Sequence, residues 1–236
     1  MVLTSKLRYH ERYTGLKENQ MPVTDYFLLW KVTVPSSWIA AVIGFVLAWL
    51  AVRMKFGKLA ADLVMDALFT TMIVWKLSVI VTDFETVRRV PMAILYFNGG
   101  MFGFLVGIVI AALFLLFSRK PNPPTVCHAL LLGIISAQAV YQVMMALLNE
   151  GTLVTKVITI VSFVVISVLA FIYAENERIP VVYASGLFVA VHAFIAALQP
   201  AGFIGIPFSA TVVSSMLVVI ISWRFTQGKE TDGGIR

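Results

Sequence analysis

Apolar residues do not alternate along this chain; they come in long runs. Seven stretches, roughly 37–52, 59–81, 90–117, 127–149, 153–174, 179–199 and 202–223, consist largely of Val, Ile, Leu, Phe, Ala and Met. An α-helix rises ~1.5 Å per residue, so ~20 apolar residues cross the ~30 Å hydrocarbon core of a bilayer. The first stretch is short for that. Tyr26 to Val34 ahead of it is expected to lie in the membrane interface, with Trp30 and Trp38 as aromatic anchors. Helix breakers fall between the runs: Pro121, Pro123 and Pro124 after the third, Pro180 before the sixth and Pro200 after it. The pattern predicts an all-α polytopic membrane protein of about seven transmembrane helices. Its expected organisation is an N-terminal tail and interfacial segment over 1–36, a helical domain over 37–225 and a C-terminal tail over 226–236. No linker, repeat or low-complexity tract divides it further.

Composition strengthens this reading. Hydrophobic residues make up 60% of the 236 and charged residues 13%, with a mean hydropathy of +0.92. Soluble domains carry about twice that share of charge, ~25%, so a water-exposed surface has too few residues to build it. The formal net charge is +6. The basic residues sit in the tails and between the apolar runs, which fits anionic headgroups and topology setting rather than nucleic acid. With the N-terminus outside, the inner loops hold Arg53, Lys55, Lys58, Arg119, Lys120 and Arg178, and the outer ones only Arg88, Arg89 and Lys156. The positive-inside rule then favours N-out and C-in. The tail cations Lys6, Arg8, Arg12, Lys17 and Lys31 argue the other way, but most lie too far from the first run to count strongly. The first twenty residues lack the apolar core of a signal peptide, so none is expected. The single cysteine, Cys127, excludes an internal disulfide and a cysteine-based metal cluster. No metal site and no cofactor is expected.

Polar groups inside the membrane are costly and therefore informative. In the N-out topology Lys76 lies near the outer end of the second run, and Asn98 in the outer half of the third, followed by Gly99, Gly100 and Gly103. Tyr141 and Gln142 lie in the outer half of the fourth run and His192 in that of the sixth. Four helices thus place polar groups at similar depth, and the expectation is that they line one outward-facing cavity. The competing reading is that Lys76 snorkels to the headgroups and the others pair between helices. Asp62 and Asp66 share a helix face near Arg53, Lys55 and Lys58, which reads as an ion-pair cluster, or else as a cation site. Gly99, Gly103 and Gly107 repeat at the small-xxx-small spacing of close helix packing; alternatively the Gly99–Gly100 pair lets a headgroup approach the backbone. No HExxH, Walker A or GxSxG motif is present.

Residues 90–120, VPMAILYFNGGMFGFLVGIVIAALFLLFSRK, resemble the third-helix region of prolipoprotein diacylglyceryl transferase. That family has an apolar stretch, then Phe-His-Gly-Gly, then a Gly-bearing helix ending in basic residues. Here the run is Phe97-Asn98-Gly99-Gly100, ending at Arg119-Lys120. Val74-Trp75-Lys76 stands where the family has a Gly-Gly-Arg or Gly-Ala-Arg triplet. Gly186-Leu187-Phe188-Val189 resembles the start of its penultimate helix, and the likeness extends over roughly 38–225.

The resemblance implies a seven-helix protein of the bacterial plasma membrane with its N-terminus outside. It implies transfer of diacylglyceryl from phosphatidylglycerol to a lipobox cysteine of a prolipoprotein. On that reading Lys76 contacts the phosphate, and Asn98, Gly99, Gly100 and Gln142 orient the headgroup. His192 is the candidate base, and Arg88 and Arg89 draw anionic lipid to the outer mouth. The sequence departs from the family in having no arginine in the fourth and sixth runs, and Asn98 for the motif histidine. Asparagine neither carries charge nor acts as a base. The alternatives are a non-catalytic relative that binds lipid or lipoprotein, and a small-solute transporter.

Overall fold

A computed structural model describes residues 25–29, 32–91, 94, 97–117, 125–176, 178–199 and 202–233. The tail before residue 25, Trp30, Lys31, Arg119, Lys120, the prolines at 121, 123 and 124, and Pro200 lie outside the described residues. The chain begins with a two-stranded antiparallel ribbon, β1 (Tyr26–Leu29) and β2 (Val32–Pro35). Among the described residues every later element is helical: α1 (Ser36–Leu77), α2 (Val79–Thr82), α3 (Phe84–Arg89), α4 (Gly100–Phe117), α5 (Thr125–Leu148), α6 (Leu153–Tyr173), α7 (Val181–Leu198), a 3₁₀ turn (Gly202–Ile204) and α8 (Ile206–Gly233).

Five helices are long and apolar enough to cross a membrane. They are α1 with its continuation to Thr82, α5, α6, α7 and α8 up to Arg224. α4 is apolar but shorter over Gly100–Leu115. Which side chains face outward supports the same environment. On α6, Thr159 is buried while Val161, Val164, Val165 and Val168 are exposed. In water each such exposed side chain would forgo about 1.5–3 kcal/mol of burial. Surrounded by hydrocarbon it forgoes almost nothing.

α1 is not straight. Gly57 interrupts it with φ 79° and ψ −177°, a region essentially closed to residues with a Cβ. Trp49 Nε1 reaches Asp62 Oδ1 at 3.5 Å, and the Lys76 ammonium lies 4.8 Å from the Trp38 ring centroid. In a straight helix Trp38 and Lys76 would stand roughly 57 Å apart at ~1.5 Å per residue. The helix therefore folds back on itself, with limbs 36–56 and 58–77 antiparallel. At the turn Arg53 stacks on Trp49, and Lys55 pairs with Glu175 at 3.3 Å over the Phe171 ring. Among the described residues no cation pairs with Asp62 or Asp66, so the ion-pair cluster expected there is replaced by the Trp49–Asp62 and Lys55–Glu175 links.

α5 is the central helix and packs against α1, α6, α7 and α8. It meets the first limb along a stripe of buried small residues, Ser36, Ala40, Gly44 and Ala48, four apart on one face. A Cβ on Gly44 would lie 2.9 Å from the Ala137 carbonyl oxygen, so only glycine permits this approach. α4 packs on the second limb in the same way. Gly99 and Gly103 face the Ser78 side chain, and Gly107 faces the Thr71 backbone. The glycine spacing thus serves helix packing. Asn149 at the end of α5 clasps the ribbon: its Oδ1 accepts from Asp25 N and from Ser36 Oγ, both at 2.8 Å.

Several expected boundaries move. The first two runs form one helix with a single-residue reversal. Of the third run, the described helix α4 starts at Gly100, after the Asn98–Gly100 turn. The segment expected at the interface is the β-ribbon. α8 starts at Ile206 and continues to Gly233, past the expected tail boundary.

Candidate functional site

Most of the polar residues singled out from the sequence fall into two clusters, whereas Tyr141 lines a cavity. The first joins the end of the second α1 limb to the start of α4. Gly99 N donates to Trp75 O at 3.0 Å, and Trp75 Nε1 donates to Gly100 O at 2.9 Å. Asn98 Oδ1 accepts from Gly100 N at 3.0 Å, closing a turn in which Gly100 has φ 61°. Lys76 Nζ donates to Phe97 O at 2.9 Å while lying over Trp38. Lys76, Asn98, Gly99 and Gly100 are therefore neighbours. Arg88 and Arg89 sit on α3, exposed, and both contact Glu85, at 3.5 and 2.9 Å. Exposed pairs of this kind contribute ~0–1 kcal/mol.

The second cluster is sealed inside the bundle. His192 is 1% exposed, Gln142 3% and Thr211 1%. Gln142 Nε2 lies 3.1 Å from His192 Nε2, and His192 Nδ1 lies 2.7 Å from Thr211 Oγ1. An amide nitrogen only donates, so His192 Nε2 accepts and the ring proton sits on Nδ1. Thr211 then accepts from Nδ1–H and donates to Pro207 O at 3.2 Å. Gln199 Nε2 donates to Gln142 Oε1 at 3.3 Å. Four hydrogen bonds thus run in one direction across α5, α7 and α8, with a neutral imidazole in the middle. Phe163 and Phe208 meet the ring edge-on, with centroids 5.1 and 5.5 Å away. Both ring nitrogens are occupied, so this histidine pairs helices and offers no lone pair to a reactant.

Both clusters abut one cavity: Thr211 of the second lines it, as do Trp38 and Trp75 of the first. That cavity is a cleft of about 200 Å³ between the two limbs of α1, α4, α5 and α8. Its walls are mainly aliphatic and aromatic, with Trp38, Phe45, Trp75 and Phe104 prominent. Ser37, Thr71, Gln138, Tyr141, Thr211 and Ser214 supply its polar atoms. Trp38 and Trp75 connect it to the first cluster: Trp38 carries the Lys76 ammonium on its ring, and Trp75 holds the Gly99–Gly100 turn. The sequence reading left Gln138, Gln199 and Thr211 out. Gln138 was reachable, because it lies one helical turn from Gln142 on the same face. Thr211 and Gln199 were not, since only the packing of the helices brings Thr211 to His192 and Gln199 to Gln142. Among the described residues no group of three or more His, Cys, Asp or Glu side chains is close enough to hold a metal ion.

These features describe a nearly all-helical protein whose long apolar helices are compatible with a multi-pass membrane location. No family model matches the chain, and neither does any curated protein or solved structure.

Proposed function

We propose that this chain is a bacterial plasma-membrane protein of seven crossings that binds an anionic phospholipid, phosphatidylglycerol being the expected ligand. The folded α1 supplies two crossings, and α4, α5, α6, α7 and α8 one each. The N-terminus is outside and the C-terminus cytoplasmic, which puts Arg53, Lys55, Lys58 and Arg178 on the inner side. One observation carries the binding reading: the Lys76 ammonium rests on Trp38, and Trp38 is a wall of the apolar cleft. A cation beside an aromatic-lined apolar slot matches an anionic amphiphile, with the headgroup at Lys76 and hydrocarbon in the slot. Such slots take drug-sized apolar ligands and use a few placed polar groups to orient them.

The geometry favours binding over group transfer. Diacylglyceryl transfer forms a thioether C–S bond as the glyceryl C–O bond to phosphate breaks, and it needs a base within hydrogen-bond reach of the thiol. His192 has both nitrogens engaged and does not itself line the cleft, reaching it only through Thr211. The resemblance to prolipoprotein diacylglyceryl transferase is thus read as a shared lipid-binding scaffold, with a prolipoprotein as a further candidate partner. The test is to give the purified full chain phosphatidylglycerol and a lipobox peptide. Preferential retention of phosphatidylglycerol over phosphatidylcholine, weakened in Lys76→Ala, with no glycerol phosphate released, is the expected result. Diacylglyceryl addition to the peptide cysteine with release of glycerol phosphate, lost in Lys76→Ala and His192→Ala, would overturn the reading in favour of the transferase.

A further inference from the structure

The cleft carries hydrogen-bonding groups that the bundle leaves unused. Tyr141 lines it, and its hydroxyl has no hydrogen-bond partner among the described residues. Gln138, three residues earlier on the same α5 face, also lines it. Its amide spends one N–H on Pro207 O at 3.3 Å. The other N–H and the amide oxygen have no partner among the described residues. Polar atoms within an apolar wall are costly unless something pairs with them. These groups lie well below the rim. The first α1 limb meets α5 at Gly44, whose Cβ would fall 3.7 Å from Tyr141 N. Gly44 lies six residues beyond Trp38, or about 9 Å along the helix.

We infer that Tyr141 and Gln138 donate hydrogen bonds to an ester carbonyl oxygen of the bound lipid. The inference rests on the lipid-binding reading and names the ligand as an ester-linked glycerolipid. Its phosphate faces Lys76 at the rim, and its ester linkage lies deeper, at the level of the two donors. A free fatty acid places its only oxygens at the headgroup position and leaves both donors unpaired. An ether-linked glycerolipid keeps phosphate and chains but lacks the carbonyl.

The experiment uses the full chain in detergent with a fluorescent phosphatidylglycerol bound. Ester-linked and ether-linked phosphatidylglycerols with matched chains compete it off. Wild type is expected to prefer the ester form by about three- to tenfold, the worth of one or two hydrogen bonds. In Tyr141→Phe and Gln138→Leu that preference falls toward one. In Lys76→Ala both forms weaken together and the ester preference persists. Equal competition by the two forms in wild type overturns the inference, and so does an ester preference that survives both α5 variants. Equal competition by phosphatidylglycerol and phosphatidylcholine, unaffected by Lys76→Ala, overturns the headgroup reading alone. A labelled lipid that never binds overturns both.

Discussion

Alanine at position 107 would put a methyl group 2.6 Å from the Thr71 carbonyl oxygen and 3.2 Å from its Cα. Both obstacles are backbone, so no side chain can swing aside. α4 must move off the second limb of α1, which also strains the Thr71 Oγ1 to Gly107 O contact at 3.5 Å. Overpacking of this kind costs about 1–3 kcal/mol. Alanine also has a better helix propensity than glycine, a gain of about 0.5–1 kcal/mol that partly hides the effect. Gly186 supplies the control. It lies inside α7, is exposed, and has nothing within 4 Å of its would-be Cβ. Gly186→Ala collects the propensity gain without the clash. The difference between the two variants therefore isolates the steric term. At about 2–4 °C per kcal/mol for a chain of this size, Gly107→Ala should melt roughly 2–12 °C below Gly186→Ala. Thermal unfolding in one detergent, followed by size-exclusion monodispersity, measures this. Equal melting temperatures would refute close α1–α4 packing.

Three further outcomes follow from the same geometry. Gln142→Leu strands His192 Nε2 and should cost about 1–3 kcal/mol; in a cycle with His192→Phe the pair should couple by roughly 0.5–2 kcal/mol, and additivity would show that the polar chain does not form. Gly57→Ala meets open space, so only its backbone angles oppose it; a loss of about 1–3 kcal/mol is expected, and unchanged stability would mean the reversal uses other angles. In a Cys127→Ser background, Lys58→Cys should react with an impermeant maleimide only from the cytoplasmic side and Arg89→Cys only from outside; same-side labelling would sink the seven-crossing topology.

Apolar run length was enough to place α5, α6 and α7 within about two residues of the observed ends. It failed wherever the backbone rather than hydropathy sets the boundary. Arg53, Lys55 and Lys58 suggested a loop, yet those residues stay helical and Gly57 alone makes the reversal. The third run continued through residues 97–99, where the Asn98–Gly100 turn sets the start of α4. The ribbon at Tyr26–Pro35 is short enough that its β-branched Val32, Thr33 and Val34 were its only signal. In the site, sorting polar residues by depth did bring together Gln142 with His192 and Lys76 with Asn98. Depth carries no angular information, however. It could not show that the first pair turns inward to a sealed network while the second stays near the rim. Nor could it show that the cleft between them is lined mostly by residues with no polar mark.

On the proposed topology, the single-residue reversal at Gly57 also makes the two limbs of α1 a gauge of bilayer thickness. Limbs 36–56 and 58–77 are each about 30 Å long, close to a typical hydrocarbon core. Separate helices joined by a loose loop relieve a thin or thick membrane by tilting or sliding independently. Here neither limb can slide without dragging the other, because they share one backbone hinge. The Asn149 clasp further fixes the far end of the first limb to α5. Mismatch must then be met by the whole bundle or by the lipid around it. Stability reconstituted across lipids of increasing chain length should therefore peak sharply near a matching ~30 Å core, where a loosely looped pair would give a broad plateau.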